Sequence, residues 1–586
     1  MAARWLLREP DAETERRLSQ QLNIHPLPAR VLAARGFADP CAAHAFLNPV
    51  LDGLNDPYSL AGMSDAVARL RKAIGANEKI LVFGDYDVDG TLAVVILVKA
   101  IEMAGGAAEP YVPNRLREGY GMRSDAVASA AASGFKLIVS VDTGIRAAEA
   151  VRQARELGLD VIVTDHHLPG EELPPAVAVL NPNRADCTYP NKNLCGAGVA
   201  LQLARALLST LGWPPRRLDN VFASFLKMAA IATVADVVPL TGENRILVRH
   251  GLAGLADVRN AGLRALLEVS GVAAGTAPEA SKVAFQIGPR INASGRMDTA
   301  DRVIELFLTP DASRAREIAE ELDAINKERR GAEQEIVKQV LSGLEDSSLA
   351  ALPPALVFSG DGWHRGVLGI VAGRVTERFH RPCFVLGAEA GEATGSGRSI
   401  ENFHLLEALE SMPDLFRRFG GHKQAAGVTL DASRIPEFRE RLRAYAAARL
   451  TAEDLLPILR LDAEARLDEF YETSVDALDA LAPFGFGNPR PLFWVRKVEV
   501  AGAPAPFREK DFKLNLRQGR SSATAVAWGL AARKDELSAG AKIDAAISVE
   551  PDEYSRSRGW PAWKATLRDW RHWRPSSEPK PPRYSR

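Results

Sequence analysis

Apolar residues in the first half of the chain fall into short continuous runs that are separated by amphipathic segments. Runs at 79–84 (KILVFG), 137–142 (LIVSVD) and 161–165 (VIVTD) predict buried strands, and the segments 91–103 and 147–157 predict helices between them. Strands that alternate with helices are typical of a parallel sheet that carries helices on both faces. We therefore expect an α/β domain in this region.

The pattern changes further along the chain. After a mostly helical stretch, residues 311–343 predict one long helix that connects two lobes. A second α/β segment follows the Pro-Pro pair at 353–354, and its Gly/Ser-rich stretch at 391–399 predicts a turn. From about residue 456, short alternating runs recur at regular spacing, which predicts a small β-barrel or sandwich.

These changes of pattern predict six segments and no internal repeat. They are a helical N-terminal segment (1–60), an α/β domain (61–300), a connecting helix (301–345), a second α/β domain (346–453), a strand-rich domain (454–570) and a basic, Pro-rich tail (571–586).

The composition narrows the class of protein. Among 586 residues, 46% are hydrophobic and 25% are charged, which excludes a mostly disordered, collagen-like or disulfide-scaffold protein. Lys and Arg number 73 against 74 for Asp and Glu, so the net charge gives no sign of a polyanion partner, although it leaves room for a local basic groove. Four cysteines without zinc-type spacing, no signal peptide and no apolar run long enough to cross a bilayer predict a cytoplasmic protein.

The segment Gly84–Gly90 (GDYDVDG) concentrates three carboxylates at alternate positions directly after a predicted strand. Their mutual repulsion favours a bound cation. An EF-hand calcium loop is one alternative, but it requires a Glu at the twelfth position, where this chain has Ile96, and a helix before the loop. A solvated acidic turn is the other alternative.

Three further motifs add candidate ligands. Asp142 follows a predicted strand, as does the triplet Asp165-His166-His167, and Asp236 lies within an apolar stretch. Ligands of open α/β sheets bind at the carboxyl ends of strands, so these side chains are expected to meet. A surface pair of histidines and a helix-capping Asp236 are the structural alternatives.

Oxygen ligands together with one imidazole nitrogen suit Mn²⁺ or Mg²⁺. Two such cations about 3.5–4 Å apart activate a water and stabilise the in-line displacement at a phosphodiester. The predicted ligands are Asp87, Asp89, Asp142, His166 and Asp236.

The motifs DYDVDG, VDTG, DHH and ADVVP, in this order, resemble the DHH phosphoesterase superfamily. With GPRINASGRM and GGH, the longer chain is similar to the single-stranded-DNA-specific exonucleases of that superfamily. The resemblance implies a two-lobed core of two α/β domains, a long connecting helix between them and a C-terminal OB-like β-barrel.

The resemblance also implies roles for individual residues. Asp142 would bridge the two cations that the other predicted ligands help to hold. His167 would contact the scissile phosphate, Asp85 is a second catalytic candidate, and Asp165 would support the loop. Phe83 stands where some members have a metal-binding His, so one metal site would be less complete.

The second lobe resembles the DHH-associated domain, which holds nucleic acid. Arg side chains and Gly-rich backbone suit phosphate binding, and Ser396 and Arg398 would bind the 5′ end. Surface ion pairs are the alternative for each Arg. The predicted substrate-binding residues are Arg290, Asn292, Arg296, Ser396, Arg398, Gly421 and His422.

The strand-rich domain would bind single strands, because aromatic rings stack on bases and cations meet phosphates. Its candidate aromatics are Phe512, Trp528, Trp560 and Trp563, which would otherwise be barrel core.

The implied function is a 5′→3′ exonuclease on single-stranded DNA that releases 5′-mononucleotides in repair and recombination. Its expected partners are single-strand-binding protein and a helicase, with no membrane. The alternatives are a phosphodiesterase for short oligonucleotides or cyclic dinucleotides, and a non-catalytic replication scaffold.

Overall fold

The computed structural model describes residues 3–114, 118–119, 121–342, 344, 352–559 and 562–573. The chain forms two compact units. The parallel-sheet unit comprises Asn48–Arg330 and Pro483–Pro489, and the barrel unit comprises Met1–Leu47, Gly331–Ala482 and Arg490–Arg586. The predicted tail beyond residue 573, and Trp560, lie outside the described residues.

A five-stranded sheet in which all neighbours are parallel forms the centre of the parallel-sheet unit, as predicted. Its strands, in spatial order, are Ala107–Tyr111, Lys79–Phe83, Leu137–Val141, Asp160–Thr164 and Ala178–Leu180. The three inner strands, Lys79–Phe83, Leu137–Val141 and Asp160–Thr164, are rich in Val, Ile and Leu because both of their faces are buried. The edge strand Ala107–Tyr111 is largely exposed and lacks such a run.

Helices cover both faces of this sheet. One face packs on Met63–Gly75, Val88–Met103 and Gly196–Ser209, and the other packs on Ser124–Ala132 and Ala148–Glu156. Because the five strands are parallel, their carboxyl ends lie at the same edge of the sheet, and so do the loops that follow them.

A helical region completes this unit, as the pattern predicted. Its helices are Pro215–Ala235, Gly242–Gly254, Ala261–Val269, Ala280–Lys282, the π-helical turn Val283–Ile287, Gly288–Met297 and Asp301–Leu308. Within the described residues, Pro215–Ala235 alone is long and apolar enough to span a membrane by length and composition. Half of its apolar window is buried inside the protein, and Phe225–Val234 pack in the main core, so it is a core helix.

The predicted long helix is present as Ala312–Ser342, and the division between the two units falls within it.

A second five-stranded sheet, mostly antiparallel, lies in the barrel unit. Its strands, in spatial order, are Arg418–Gly421, Ala425–Asp431, Glu392–Arg398, Cys383–Glu389 and Leu356–Asp361. The helices in this region are Arg365–Phe379, Leu405–Glu410 and Ile435–Ala447.

The predicted turn at 391–399 is wrong, because Glu392–Arg398 is the middle strand of this sheet. Ala393, Gly395 and Gly397 alternate with polar residues and form its buried face. A Cβ added at Gly397 would lie 2.6 Å from the Phe384 ring, so small residues are required there. The GGH motif also begins in a strand of this sheet. Gly421 is the last residue of the edge strand Arg418–Gly421, which a hairpin connects to Ala425–Asp431.

A seven-stranded sheet closes on itself through five strands, as an OB-like barrel does. The closing pair joins Phe493–Val500 to Asp511–Gln518. The strands, in spatial order, are Ala463–Ala465, Phe493–Val500, Lys542–Pro551, Trp563–His572, Ser521–Ala527, Asp511–Gln518 and Ala505–Arg508, and the helices Glu472–Asp479 and Glu553–Arg556 accompany them.

The N-terminal segment contains the helices Ala12–Leu22, Pro26–Ala34 and Pro40–Leu47. It also contains a strand that the sequence pattern did not predict, Arg4–Leu7, which pairs in parallel with Ile458–Leu461. The Trp5 indole is buried and donates a 2.8 Å hydrogen bond to Asp569 in the barrel strand Trp563–His572. The strand Arg4–Leu7 is therefore part of the barrel unit.

Candidate metal centre

The first acidic motif connects a buried strand to the helix Val88–Met103. Asp85 is buried after the strand, and Asp87 is the N-cap of the helix, where its carboxylate accepts a 3.0 Å hydrogen bond from the Gly90 N–H. A Cβ added at Gly90 would lie 2.5 Å from the Asp85 carbonyl oxygen, so the turn requires glycine. The motif is thus a tight strand-to-helix turn and not an EF-hand.

Asp89 is held by the N-terminus of another helix. Its two carboxylate oxygens accept hydrogen bonds from the backbone N–H groups of Gly196 (2.6 Å) and Ala197 (2.7 Å), in the first turn of Gly196–Ser209. A helix N-terminus stabilises a negative charge, which keeps this carboxylate in place although it is only 1% exposed.

Asp142 follows the central strand Leu137–Val141 with φ 57°, a backbone conformation that is uncommon for a residue other than glycine. Its Oδ1 is buried, accepts no hydrogen bond from any of the described residues and lies 3.1 Å from Nε2 of His166. A buried carboxylate oxygen in this position is costly unless a cation completes its coordination.

His166 brings the remaining motifs together. Its Nε2 lies 3.7 Å from Oδ2 of Asp89 and 3.8 Å from Oδ2 of Asp236. Asp236 is the C-cap residue of the helix Pro215–Ala235, as one of the structural alternatives proposed. Its carboxylate nevertheless faces His166 and so belongs to the cluster.

Three overlapping sets of ligand atoms, each within 4.8 Å of one another, are positioned to hold a cation. We name them the Asp236 group (Asp89, His166, Asp236), the Asp85 group (Asp85, Asp87, Asp142) and the His167 group (Asp142, His166, His167). Together they contain every residue that the sequence predicts as a metal ligand or catalytic residue. Carboxylate oxygens with one or two imidazole nitrogens fit Mn²⁺ or Mg²⁺.

The electrostatics of the cluster also fit a cation. Burial, together with the neighbouring carboxylates, raises the pKa of Asp142 well above its usual range and the pKa of Asp236 to about 9. Burial and the charge of Asp89 likewise raise the pKa of Asp87. Burial lowers the pKa of His166, which favours the neutral imidazole that binds metals.

Asp165 supports the histidine loop instead of joining a metal group. Its carboxylate accepts hydrogen bonds from the backbone N–H groups of Ile145 (2.9 Å), His166 (2.7 Å) and His167 (3.1 Å), and it lies 2.7 Å from Nδ1 of His167. Burial lowers the pKa of His167, but the hydrogen bond to Asp165 and the negative charges of Asp165, Asp89 and Asp85 together raise that pKa overall. His167 is therefore oriented by Asp165 and favoured in its charged form.

Sequence reasoning missed three residues that hold the site in place. Asn181 and Asn183 donate hydrogen bonds to the backbone carbonyls of His167 (2.8 Å) and His166 (2.6 Å). A Cβ added at Gly196 would lie 2.5 Å from Cβ of Asp142, so the close packing there requires glycine. The only sequence signal for the two asparagines is their place directly after a short strand.

Phe83 is a buried core ring that stacks on Tyr111, with 5.2 Å between the centroids. The position at which some superfamily members have a metal-binding His is therefore apolar in this chain.

The helix Gly288–Met297 carries three predicted substrate contacts, Arg290, Asn292 and Arg296. Asn292 accepts a 3.2 Å hydrogen bond from the Val88 N–H, so it supports the first acidic motif. Arg290 forms a 2.8 Å ion pair with Asp323, the alternative that the sequence left open. Phosphate contacts from this helix stay a prediction.

In the barrel unit, Ser396 and Arg398 lie on the strand Glu392–Arg398 beside the helix Arg365–Phe379. A Cβ added at Gly369 would approach Nη2 of Arg398 to 3.1 Å and Oγ of Ser396 to 3.5 Å, so this glycine makes room for both side chains. His422 is exposed in the hairpin that follows Gly421. Their contact with DNA is not tested by these positions and stays a prediction.

Three family models match the chain. The DHH family N-terminal domain matches residues 79–233, the DHHA1 domain matches 352–448 and the RecJ OB domain matches 461–560.

Relatives and solved structures agree with these matches. The single-stranded-DNA-specific exonuclease RecJ of Bacillus subtilis (strain 168) is 37% identical over 95% of this chain and 69% of its own length. The same-named protein of Dickeya dadantii (strain 3937) is 41% identical over 83% of this chain and 86% of its own length.

The crystal structure of RecJ from Thermus thermophilus in complex with Mn²⁺ has a TM-score of 0.82 at 31% identity, and it covers 98% of this chain and 80% of the solved one. A structure of the same protein in complex with Mg²⁺ has a TM-score of 0.76 at 30% identity, covering 98% and 79%. Because 86% of the Dickeya protein is matched at 41% identity, with these three domains in the same chain, the chain belongs to the RecJ family of DHH proteins.

Proposed function

We propose that this chain is a 5′→3′ exonuclease for single-stranded DNA, which releases 5′-mononucleotides by hydrolysis at a site with two Mn²⁺ or Mg²⁺ ions. The observation that carries the proposal is the buried convergence of Asp89, Asp142, His166 and Asp236, from four separate segments, around the 3.1 Å approach of Asp142 to His166. Relatives named as single-stranded-DNA-specific exonucleases, and a related structure with Mn²⁺, support it.

When bound, a pair of divalent cations lowers the pKa of a coordinated water and stabilises the charge that develops on the reacting phosphate. The chain supplies the rest. Asp142 belongs to the Asp85 group, and its Oδ1 lies 3.1 Å from Nε2 of His166 in the Asp236 group, so its carboxylate would help to hold both cations. His167, with its Nδ1 held by Asp165, would present its other nitrogen to the scissile phosphate.

The barrel unit offers a surface for the bases of a long strand. Phe507 and Trp528 are 37% and 43% exposed, and their rings meet edge to face with 5.7 Å between centroids. Arg508 lies over both rings, and Lys513 Nζ is 3.9 Å from the centroid of Phe507. Exposed aromatics with adjacent cations suit single-strand binding that tolerates any sequence. Of the predicted stacking residues, Phe512 is instead fully buried barrel core.

Two alternative functions have less support. A phosphodiesterase for short oligonucleotides or cyclic dinucleotides has no need of the aromatic surface on the barrel. A non-catalytic scaffold has no need of the carboxylates, all of which are present and converge here. A role in repair and recombination, a cytoplasmic location, and association with single-strand-binding protein and a helicase belong to the proposal as its biological setting.

The test uses oligonucleotides labelled at the 5′ or the 3′ end, single-stranded or as blunt duplexes, with Mn²⁺ or Mg²⁺. We expect the 5′ label to leave single strands as a mononucleotide while blunt duplexes persist. Asp142→Ala should abolish the reaction, and Asp219→Ala, on an exposed carboxylate of the same unit, should leave it unchanged. Release of the 3′ label first, or equal digestion of duplexes, would contradict the proposal.

A further inference from the structure

A network of buried polar side chains lies at the start of the helix Gly242–Gly254, outside the three metal groups. Glu243 is 5% exposed and Asn244 is 1% exposed. Neither belongs to a metal group, and burying such polar groups is costly unless they are hydrogen-bonded.

Asn244 uses its side-chain amide to join two loops. Its Nδ2 donates to the backbone carbonyl of Asn193 at 2.6 Å and to that of Pro239 at 3.1 Å. Its Oδ1 accepts a 2.9 Å hydrogen bond from Nδ2 of Asn191. All three hydrogen bonds leave the helix that carries Asn244.

Both loops lead directly to residues of the Asp236 group. Asn193 is three positions before Gly196, whose N–H holds Asp89. Pro239 is three positions after Asp236. Asn244 therefore sets the distance between the segment that supports Asp89 and the segment that carries Asp236.

Glu243, the residue before Asn244, also holds the loop that contains Asn191. Its carboxylate accepts hydrogen bonds from the Asn55 N–H (3.0 Å), the Tyr189 hydroxyl (2.8 Å), Nε2 of Gln202 (3.2 Å) and Nδ2 of Asn191 (3.2 Å). Since Asn191 bonds to both Glu243 and Asn244, the loop that contains it is anchored at two points.

We propose that Asn244 is a positioning residue for one cation of the pair, the one held by the Asp236 group, and that the Asp85 group does not depend on it. The inference rests on the proposed function, since it assumes that two cations bind. Outer-shell residues that orient metal ligands change metal affinity by about 10- to 100-fold when they are replaced. The loss should fall on the Asp236 group, because the two loops that Asn244 joins lead to Gly196, which holds Asp89, and to Asp236. Neither loop contains Asp85 or Asp87, which belong to the other group.

The experiment titrates the purified full-length protein with Mn²⁺ and measures free Mn²⁺ by electron paramagnetic resonance. The wild type should bind two ions. Asn244→Ala should retain one site at its original affinity and weaken the other about 10- to 100-fold. Asn244→Asp retains the acceptor for Asn191 but cannot donate to the two carbonyls, so it should match the Ala variant. If Asn244→Ala does not fold, Asn244→Ser is titrated in its place.

Asn260→Ala is the matched control. Asn260 Nδ2 also donates to a backbone carbonyl, that of Phe307 at 2.9 Å, but neither residue adjoins a metal group. Its replacement should lower the melting temperature and leave both Mn²⁺ affinities unchanged.

Nuclease assays give a second readout. The Mn²⁺ concentration for half-maximal activity should rise in Asn244→Ala, with activity recovering at high Mn²⁺. Two unchanged sites in that variant, or equal weakening of both, would overturn the inference while leaving the proposed function intact. A wild type that binds no pair of ions would overturn the proposed function itself.

Discussion

The metal centre and the aromatic surface of the barrel differ in how far their side chains are exposed and in how they are held in place. In the metal centre, Asp89 and Asp142 are buried. The N-terminus of a helix binds Asp89, and the backbone packs so closely at Gly196 that a side chain there would collide with Asp142. On the barrel, Phe507 and Trp528 are exposed and contact each other and nearby cations. Hydrolysis requires fixed atoms, whereas holding a strand of any sequence requires only accessible rings and charges. The contrast predicts that substitutions in the two regions differ in both kind and size.

The largest effect is expected for Asp142→Asn. Loss of a carboxylate that is proposed to hold both cations should lower kcat on the order of 10³-fold, because several kcal/mol of transition-state stabilisation is removed. The same change should raise the melting temperature of the metal-free protein. Burial and the neighbouring carboxylates raise the pKa of Asp142 because they destabilise its charged form, and an amide avoids that cost. Single-turnover kinetics and calorimetry measure the two effects, and an unchanged kcat would remove Asp142 from the reaction.

The second effect separates two barrel aromatics that look alike in the sequence. Phe512→Ala should destabilise the barrel unit by about 3–5 kcal/mol, because the ring is fully buried against Trp570 and its loss leaves a cavity. Trp528→Ala should cost only about 1 kcal/mol, because the half-exposed ring loses little more than its edge-to-face contact with Phe507. Denaturant unfolding of both variants checks this, and equal losses would contradict the assignment of Trp528 to the surface.

The third prediction concerns binding of long strands. Trp528→Ala should raise KM for a long oligonucleotide about 10-fold, since stacking contributes about 1–3 kcal/mol per base. It should leave kcat, and the cleavage of a dinucleotide, unchanged. Val526→Ala, at a half-buried position of the strand that precedes Trp528, is the control. A fall in kcat with constant KM would show that Trp528 acts elsewhere.

The last prediction concerns a pH dependence of stability in the metal-free protein. The folded state raises the pKa of Asp236 to about 9 from an ordinary 3.8. The folded state therefore holds a proton that the unfolded chain has lost, and this stabilisation is complete below pH 3.8 and is lost as the pH rises through about 9. The melting temperature should fall over that interval, and Mn²⁺ should raise it more at pH 8 than at pH 6. Asp236→Asn should flatten the dependence, and an unchanged slope in that variant would count against it.

The sequence predicted the elements that bury continuous or alternating apolar residues, including the parallel strands, the long helix Ala312–Ser342 and the barrel strands. It failed for Glu392–Arg398, because the buried face of that strand is made of alanine and glycine, and small residues carry no apolar signal. The residues that converge in the three metal groups were recognised in the sequence because carboxylates and histidines at strand ends are chemically unusual. Asn181 and Asn244 were missed because an ordinary asparagine becomes informative only when its distant partners are known. Phe507 and Phe512 are the same residue type, and only packing separates surface from core.

The pairing of Arg4–Leu7 with Ile458–Leu461 has a consequence for biosynthesis. Trp5 and its hydrogen-bond acceptor Asp569 are separated by 564 positions, so the strand Arg4–Leu7 is synthesised long before the residues that it contacts. Such distant pairing slows folding and leaves an apolar strand open to premature association during translation.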